Sequence, residues 1–226
     1  MDSTHRTRTV AVGGLGTVGF EVARRIDGGE IDGLTLSAVS ARDHARARQR
    51  MRGFRAPVDV VAAADLAGRA DIVVESAPAA VFRDIAEPAV RAGKVLVAIS
   101  AGALLDHADL VETASATGAQ IVVPSGAVMG LDAVRGAAES GIASVTMITR
   151  KPPGGLAGAP YLVNHGIDVD GLDAPLKVFD GNARDAARGF PANVNVAAAL
   201  GLAGVGPERT RLEIWADPGV TRNTHE

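Results

Sequence analysis

The stretch VAVGGLGTVG, residues 10–19, decides the fold of this chain. Its apolar first residues predict a buried strand, and Gly14, Gly16 and Gly19 follow with the spacing G-x-G-x-x-G. Before an amphipathic helix, such glycines permit a tight turn, a close backbone approach to a pyrophosphate and close packing of the helix on the strand. The alternative is a glycine-rich turn without a ligand. The residues that we expect to contact a dinucleotide here are Gly14, Leu15, Gly16, Thr17, Val18 and Gly19.

Short β-branched runs alternate with Ala/Arg/Leu stretches of helical period on both sides of this loop, a pattern typical of βαβ units with a buried parallel sheet. The predicted strands are Thr9–Gly13, Leu34–Val39, Val58–Val61, Asp71–Ser76, Lys94–Ser100 and Gln120–Pro124. The predicted helices are Thr17–Asp27, Arg42–Met51, Ala79–Ala92 and Asp106–Thr117. We therefore expect an α/β fold in which residues 1–123 form a doubly wound, dinucleotide-binding Rossmann domain.

The pattern changes after Pro124, where strands and helices no longer alternate regularly. The elements predicted here are a helix at Leu131–Glu139, strands at Ser144–Thr149, Leu176–Phe179 and Arg211–Ala216, and a helix that begins at Pro191. Such a mixture predicts an α+β domain over residues 124–226, which we expect to bind the substrate and to mediate dimerisation.

Composition narrows the range of functions. The 226 residues include no cysteine and 3% aromatic residues, and the formal net charge is −3. Thiol nucleophiles and zinc–thiolate sites are therefore excluded, and a reducing cytoplasmic location is expected. The charge and the scarcity of rings argue against a nucleic-acid surface. Because the first nine residues are polar, we expect no signal peptide and no membrane span. We expect the protein to bind a small molecule and to hold no metal ion.

The end of the second predicted strand bears on the choice of cofactor. NAD sites usually carry an acid about 20 residues beyond the glycine loop, which binds the ribose 2′-hydroxyl. Here Ser40 takes that place and Arg42 follows two residues later. A hydroxyl and a guanidinium tolerate a 2′-phosphate, so we expect NADP or NAD, with NADP favoured. The alternative is that Arg42 is a solvated residue at the start of an Arg-rich helix.

Several segments dense in small and polar residues carry a family resemblance. They are SAGAL at 100–104, PSGAVMGLD at 124–132, TRKPP at 149–153, FPANVNVA at 190–197, and DP at 217–218 followed by NTHE at 223–226. In this order they resemble the L-aspartate dehydrogenase family. The resemblance implies reversible NAD(P)-dependent oxidation of L-aspartate to iminoaspartate, which yields oxaloacetate and ammonia or feeds NAD biosynthesis. Because family members usually continue for several tens of residues past the last motif, we expect this chain to lack the family's C-terminal segment.

The resemblance also implies roles for individual residues, with His225 as the active-site residue. The further cofactor contacts that we expect are Ala77, Ser100, Ala127, Asn193 and Asn195. The substrate contacts that we expect are Ser125, Arg150, Lys151 and Asn195. Arg150 and Lys151 would pair with the carboxylates of aspartate, the alternative being a solvated strand end.

The chemistry itself calls for a proton acceptor. Hydride removal from an α-carbon requires a neutral amine first, and a histidine, with an ordinary pKa of about 6.5, suits that step. His165 is the other histidine that we consider a serious candidate besides His225. Two other functions stay open, namely a homoserine-dehydrogenase-like enzyme and a non-catalytic NADP-binding module that senses redox state. A strand-rich second domain and the resemblance both favour a homodimer.

Overall fold

A computed structural model describes residues 7–191 and 193–226; the first six residues of the polar leader, His5 among them, and Ala192 lie outside the described residues. The chain forms two compact units. Unit 1 contains the residues up to Ser100 together with His107–Pro124, and unit 2 contains Ala101–Asp106 and Ser125–Glu226. The short segment Ala101–Asp106, which the predicted division assigned to the first domain, thus belongs to unit 2.

The elements are numbered in chain order through the described residues. The strands are β1 Arg8–Gly13, β2 Leu34–Ser40, β3 Asp59–Val61, β4 Ile72–Glu75, β5 Val95–Ala98, β6 Gln120–Val122, β7 Val145–Lys151, β8 Leu176–Asn182, β9 Thr210–Ala216 and β10 Thr224–His225. The α-helices are α1 Thr17–Asp27, α2 His44–Arg50, α3 Phe82–Arg91, α4 Ala101–Leu104, α5 Ala108–Thr117, α6 Leu131–Glu139, α7 Pro160–His165, α8 Ala183–Gly189 and α9 Asn195–Ala203. Single 3₁₀ segments lie at Ala63–Gly68, Ala79–Val81 and Pro153–Gly155.

Unit 1 is built on a six-stranded sheet of order β3-β2-β1-β4-β5-β6, in which every neighbouring pair is parallel. This is the doubly wound order, so the predicted Rossmann fold is confirmed. Val10 and Val12 of β1 are 1% and 0% exposed, because a parallel sheet is covered on both faces. All six strands end on one edge, where ligands of such folds bind.

Three predicted helices of unit 1 begin later than their patterns indicated, and one of them is the helix predicted at Asp106–Thr117, which begins at Ala108. The helix α2 begins at His44, because the Asp43 carboxylate accepts a hydrogen bond of 2.9 Å from the Arg46 amide and caps the helix. The predicted helix Ala79–Ala92 is a 3₁₀ turn followed by α3, and Pro88 lies inside α3. The helical faces that cover the sheet are therefore shorter than predicted.

Unit 2 has a mixed sheet of order β10-β7-β9-β8, in which β7 and β9 are parallel and the outer pairs are antiparallel. Met147, Leu212 and Ile214 are buried on one of its faces. The helices α8 and α9 supply a second buried layer with Ala183, Ala186, Ala197 and Ala198. This arrangement confirms the predicted α+β class.

The helix predicted to begin at Pro191 begins instead at Asn195. The Asn193 amide donates to the Phe190 carbonyl over 2.8 Å, which closes a turn before the helix. A helix from Pro191 would contain both Asn193 and Asn195, whereas only Asn195 is helical, so the predicted start of the helix is wrong.

Within the described residues, 7–191 and 193–226, no helix is long and apolar enough to cross a membrane.

Candidate active site

The glycine loop joins β1 to α1 at the carboxyl edge of the unit 1 sheet. Gly14 has a φ of +92°, and a Cβ placed there would lie 2.6 Å from the Ser76 carbonyl oxygen. A Cβ at Gly19 would collide with the Gly14 carbonyl oxygen and with Ser76 Oγ. Ser76 Oγ itself lies 3.0 Å from the Gly13 oxygen and 2.9 Å from the Gly14 oxygen. Glycine is thus required at both positions by the turn and by helix packing.

Gly16 differs from its two neighbours in the motif. A Cβ at Gly16 would meet no atom within 4 Å, and Gly16, Thr17 and Val18 are exposed. No side chain caps α1 and its first turn holds no acid. The first amides of α1 are therefore available to an anion, where the positive end of the helix dipole favours phosphate. The loop has the open space and the donors that a pyrophosphate requires.

The residues expected to recognise the adenosine ribose lie at the end of β2. Ser40 is 8% exposed, and its carbonyl accepts a hydrogen bond of 2.8 Å from the Gly14 amide. Arg42 is exposed, and the next residue, Asp43, is occupied as the cap of α2. In β2 and the two residues after it, all of them described, no carboxylate stands where an NAD site places one.

Arg50 is a residue of this region that sequence reasoning missed. Its guanidinium donates to the Leu15 carbonyl within the glycine loop and lies 4.1 Å from the centroid of the Phe20 ring. The contact fixes the loop from the side of α2. A single arginine within an Arg-rich helix gave no signal in the sequence that set it apart.

Glu75, the last residue of β4, was also missed. It is fully buried, and burial raises the pKa of its carboxyl. Its Oε1 accepts from the Ala77 amide at 2.8 Å and lies 3.1 Å from Ser100 Oγ, while Oε2 accepts from the Ser100 amide at 3.1 Å. Ser100 Oγ also lies 3.1 Å from the Ala77 carbonyl oxygen. The structure thus brings Ala77 and Ser100 together around one carboxyl group.

In unit 2, β10 places His225 on the edge of β7. The Glu226 amide donates to the Ile148 carbonyl and the Ile148 amide to the Glu226 carbonyl, both over 2.9 Å. His225 lies opposite Thr149, and its Nδ1 is 3.1 Å from Thr149 Oγ1. Burial lowers the pKa of His225, and the positive charge of Lys151 lowers it further. The ring is therefore oriented by Thr149 and kept neutral.

Lys151 and Arg150 point to opposite faces of β7, because side chains alternate along a strand. Lys151 is 3% exposed, lies on the face of Thr149, and makes no ion pair with any described residue. Burial lowers the pKa of Lys151. Arg150 pairs with Asp217 at 3.5 Å and lies 5.0 Å from the Trp215 ring centroid. Lys151 therefore lies on the same face of the sheet as His225, whereas Arg150 lies on the opposite face.

The remaining predicted residues of unit 2 fall into two places. Asn195 Oδ1 accepts a hydrogen bond of 3.1 Å from the Gly102 amide, so Asn195 fixes α4 against the start of α9. Asn193 is half-buried in the preceding turn. Ser125 and Ala127 are exposed in a turn closed by the Val128 amide, which donates to the Ser125 carbonyl at 3.1 Å.

His165, the other candidate histidine, is exposed at the end of α7. Its Nδ1 lies 2.8 Å from the Tyr161 carbonyl oxygen, and its ring stacks on Tyr161 with centroids 3.9 Å apart. These contacts explain its position without a ligand.

The doubly wound sheet and its glycine loop define the class of dinucleotide-binding Rossmann proteins. A family model described as the NAD-binding domain of homoserine dehydrogenase matches residues 14–124, and one described as the C-terminal part of aspartate dehydrogenase matches residues 132–226. The chain is 55% identical to L-aspartate dehydrogenase of Bradyrhizobium diazoefficiens, across 96% of this chain and 76% of that protein. The chain belongs to the L-aspartate dehydrogenase family of oxidoreductases.

Further comparisons agree with this assignment. L-aspartate dehydrogenase 3 of Bordetella bronchiseptica is 53% identical, across 96% of this chain and 79% of that protein. The crystal structure of aspartate dehydrogenase from Thermotoga maritima superposes with a TM-score of 0.69 at 24% identity, across 96% of this chain and 82% of that chain. At 24% identity, the likeness to the Thermotoga maritima structure supports the fold alone.

Proposed function

We propose that the chain is an NAD(P)-dependent L-aspartate dehydrogenase, which oxidises L-aspartate reversibly to iminoaspartate and so to oxaloacetate and ammonia. The observation that carries the proposal is the pair formed by buried Lys151 and His225 on one face of the unit 2 sheet. A buried cation without a counter-ion is costly, and a substrate carboxylate would supply the missing charge. Both relatives described above are named L-aspartate dehydrogenases.

In this proposal, His225 is the acid and base of the reaction. Its lowered pKa keeps the imidazole neutral at neutral pH, so it is ready to take a proton from the substrate ammonium. Because Nδ1 faces Thr149, Nε2 is the nitrogen left for that proton. A bound nicotinamide supplies the acceptor for the hydride that leaves the α-carbon. In the reverse direction, the protonated ring returns its proton to the amine.

The cofactor is proposed to bind along the glycine loop, with its pyrophosphate in the open space above Gly16. NADP is the preferred form in this proposal, since Arg42 is exposed two residues after Ser40, and the next residue, Asp43, caps α2. The network of Glu75, Ala77 and Ser100 shapes the carboxyl edge next to the loop.

The catalytic assignment is tested by His225→Ala, with His165→Ala as the matched comparison. Turnover is followed by the absorbance of reduced nicotinamide with oxaloacetate, ammonia and NADPH. We expect His225→Ala to lower kcat by about 100-fold or more, which is typical of a lost general base, while NADPH binding is retained. His165→Ala should leave kcat unchanged. Equal effects of the two substitutions would contradict the assignment.

The cofactor preference is tested by Arg42→Ala, with Arg48→Ala as an exposed control on α2. The loss of one charge-assisted contact to a 2′-phosphate should raise the KM for NADPH about tenfold and leave the KM for NADH unchanged. A wild-type enzyme that uses NADH as efficiently as NADPH would refute the preference.

A homoserine-dehydrogenase-like enzyme is the second candidate, because the family model matched by residues 14–124 carries that description. A screen of amino acids with both cofactors separates the two, and turnover of homoserine but not aspartate would favour the second. NADPH binding without any turnover would favour a redox sensor. A role in NAD biosynthesis, which follows from the family resemblance, belongs to the same proposal. So do the homodimer, favoured by the resemblance and by the strand-rich second domain, and the cytoplasmic location, expected from a chain without cysteine.

A further inference from the structure

Lys151 stands out among the charged groups of unit 2 because its surroundings are unusual for a lysine. Only 3% of the residue is exposed, and burial lowers the pKa of its ammonium. Lysine is almost never fully buried in proteins unless it is paired. No described carboxylate lies within ion-pair distance of its Nζ, so its charge has no counter-ion among the described residues.

The positive charge of Lys151 acts on the imidazole of His225. In the antiparallel pair of β10 and β7, His225 lies opposite Thr149, and Lys151 is two residues further along β7 on the same face. Diagonal neighbours of this kind lie about 7–8 Å apart, within range of a long side chain. The positive charge of Lys151 acts on the imidazole across this distance.

The other charged side chains of β7 and β9 are paired with opposite charges, and Arg222, which precedes β10, is exposed. Arg150 lies on the opposite face of β7, 3.5 Å from Asp217 and 3.9 Å from Glu226. Glu213 on β9 lies 3.7 Å from Lys177 and 3.2 Å from Arg211. Lys151 is therefore the charged group in the described part of the sheet that faces His225 without a counter-ion.

We propose that Lys151 makes proton uptake by His225 conditional on the substrate, because a bound dicarboxylate neutralises the positive charge of Lys151, which faces the ring. The proposal rests on the proposed function and adds a specificity mechanism to it. Without substrate, the Lys151 ammonium repels a second positive charge, and the ring stays neutral. When a substrate carboxylate pairs with Lys151, that repulsion is cancelled and the imidazole becomes a stronger base.

The proton step itself is balanced within the site. One N–H bond of the substrate ammonium breaks, a new N–H bond forms at His225 Nε2, and the amine keeps its electron pair. The resulting imidazolium is tolerated because the carboxylate now lies beside Lys151. An amino acid with only one carboxylate would have no second carboxylate to pair with Lys151. The His225 ring would then stay a poor base, and turnover would fall.

The test is a pH titration of the His225 ring by NMR, using chain labelled at histidine and His225→Ala to assign the signal. Succinate serves as an unreactive dicarboxylate, and sodium chloride at equal ionic strength controls for screening. We expect succinate to raise the pKa of His225 in the wild-type chain by about one unit, given an effective dielectric of about 20. Sodium chloride should shift it much less.

Three substitutions complete the experiment. Lys151→Met should raise the pKa of His225 without succinate and remove the response to succinate. Lys151→Arg keeps the charge and should keep the low starting value. Lys177→Met, an exposed lysine paired with Asp180 at 2.7 Å, is the control and should behave as the wild type.

The outcomes separate this inference from the proposed function. A His225 signal that succinate leaves unmoved in the wild-type chain, or that moves equally in Lys151→Met, overturns the inference. Because the titration requires no turnover, it stands even if the enzyme proves inactive on aspartate. Absence of aspartate turnover with an intact succinate response would instead contradict the proposed substrate.

Discussion

Replacement of Glu75 by glutamine should change both the stability of unit 1 and its dependence on pH. The wild-type carboxyl presents one oxygen to the Ala77 amide and the other to the Ser100 amide. Glutamine has a single acceptor oxygen, so in either orientation its NH₂ group faces a backbone N–H. One donor is then unsatisfied in a fully buried place, which costs about 1–3 kcal/mol at every pH.

The pH dependence follows from the direction of the pKa shift. Burial raises the pKa of Glu75 in the folded chain above the unfolded value of about 4.3. The folded state therefore favours the protonated acid, and this stabilisation is fully present below the unfolded pKa. It is lost as the pH rises through the folded pKa, at about 1.4 kcal/mol for each unit of difference. The glutamine variant has no proton to lose at this position.

The measurement is urea unfolding followed by far-UV circular dichroism, from pH 4 to neutral pH, for the wild type and Glu75→Gln. The wild type should be the more stable at pH 4, and its advantage should shrink as the pH rises. Glu112→Gln, which changes an exposed acid on α5, is the control and should leave the wild-type profile intact. A constant difference between wild type and Glu75→Gln across the range would refute the raised pKa. Equal stability throughout would refute the hydrogen-bond argument.

Substitutions at three other positions test the packing and hydrogen bonding of the backbone. Gly19→Ala should destabilise the chain by about 1–3 kcal/mol and weaken NADPH binding, because its Cβ collides with the Gly14 carbonyl; calorimetry checks both. Gly136→Ala, in an exposed part of α6 where a Cβ meets nothing within 4 Å, should instead stabilise it by about 0.5–1 kcal/mol; a loss of stability would contradict that argument. Asn195→Ala should cost about 1 kcal/mol by freeing the Gly102 amide and should weaken cofactor or substrate binding, whereas Asn195→Asp, which keeps the acceptor, should restore stability.

The sequence predicted unit 1 well because its signals are local. Each βαβ strand is a short β-branched run, and the strand order then follows from the handedness of the connections. The glycine spacing predicted the loop and the reasons for Gly14 and Gly19, which are crowded, whereas the pyrophosphate contact expected at the open Gly16 stays a prediction.

The candidate site was harder to predict because its contacts are distant in sequence. Thr149 and His225 are 76 residues apart and meet only because β10 pairs with β7. The alternation of Thr149, Arg150 and Lys151 already indicated that the two cations point to opposite faces, yet their charge suggested a joint role. Glu75 also left a signal, as the one acid that ends the apolar run Ile72–Glu75. Its partners depend on how the loops after β4 and β5 fold, which no local pattern reveals.

The pairing of β10 with β7 also affects the solubility of the protein. Without β10, the hydrogen-bonding groups of β7 beside Ile148 would form an open edge next to Met147 and Thr149, a stretch rich in β-branched residues. Exposed edges of this kind pair with strands of other molecules, and a very short edge strand is one natural way to protect them. The segment that carries His225 thus also protects the sheet against aggregation, so substitutions that detach β10 should reduce soluble yield as well as activity.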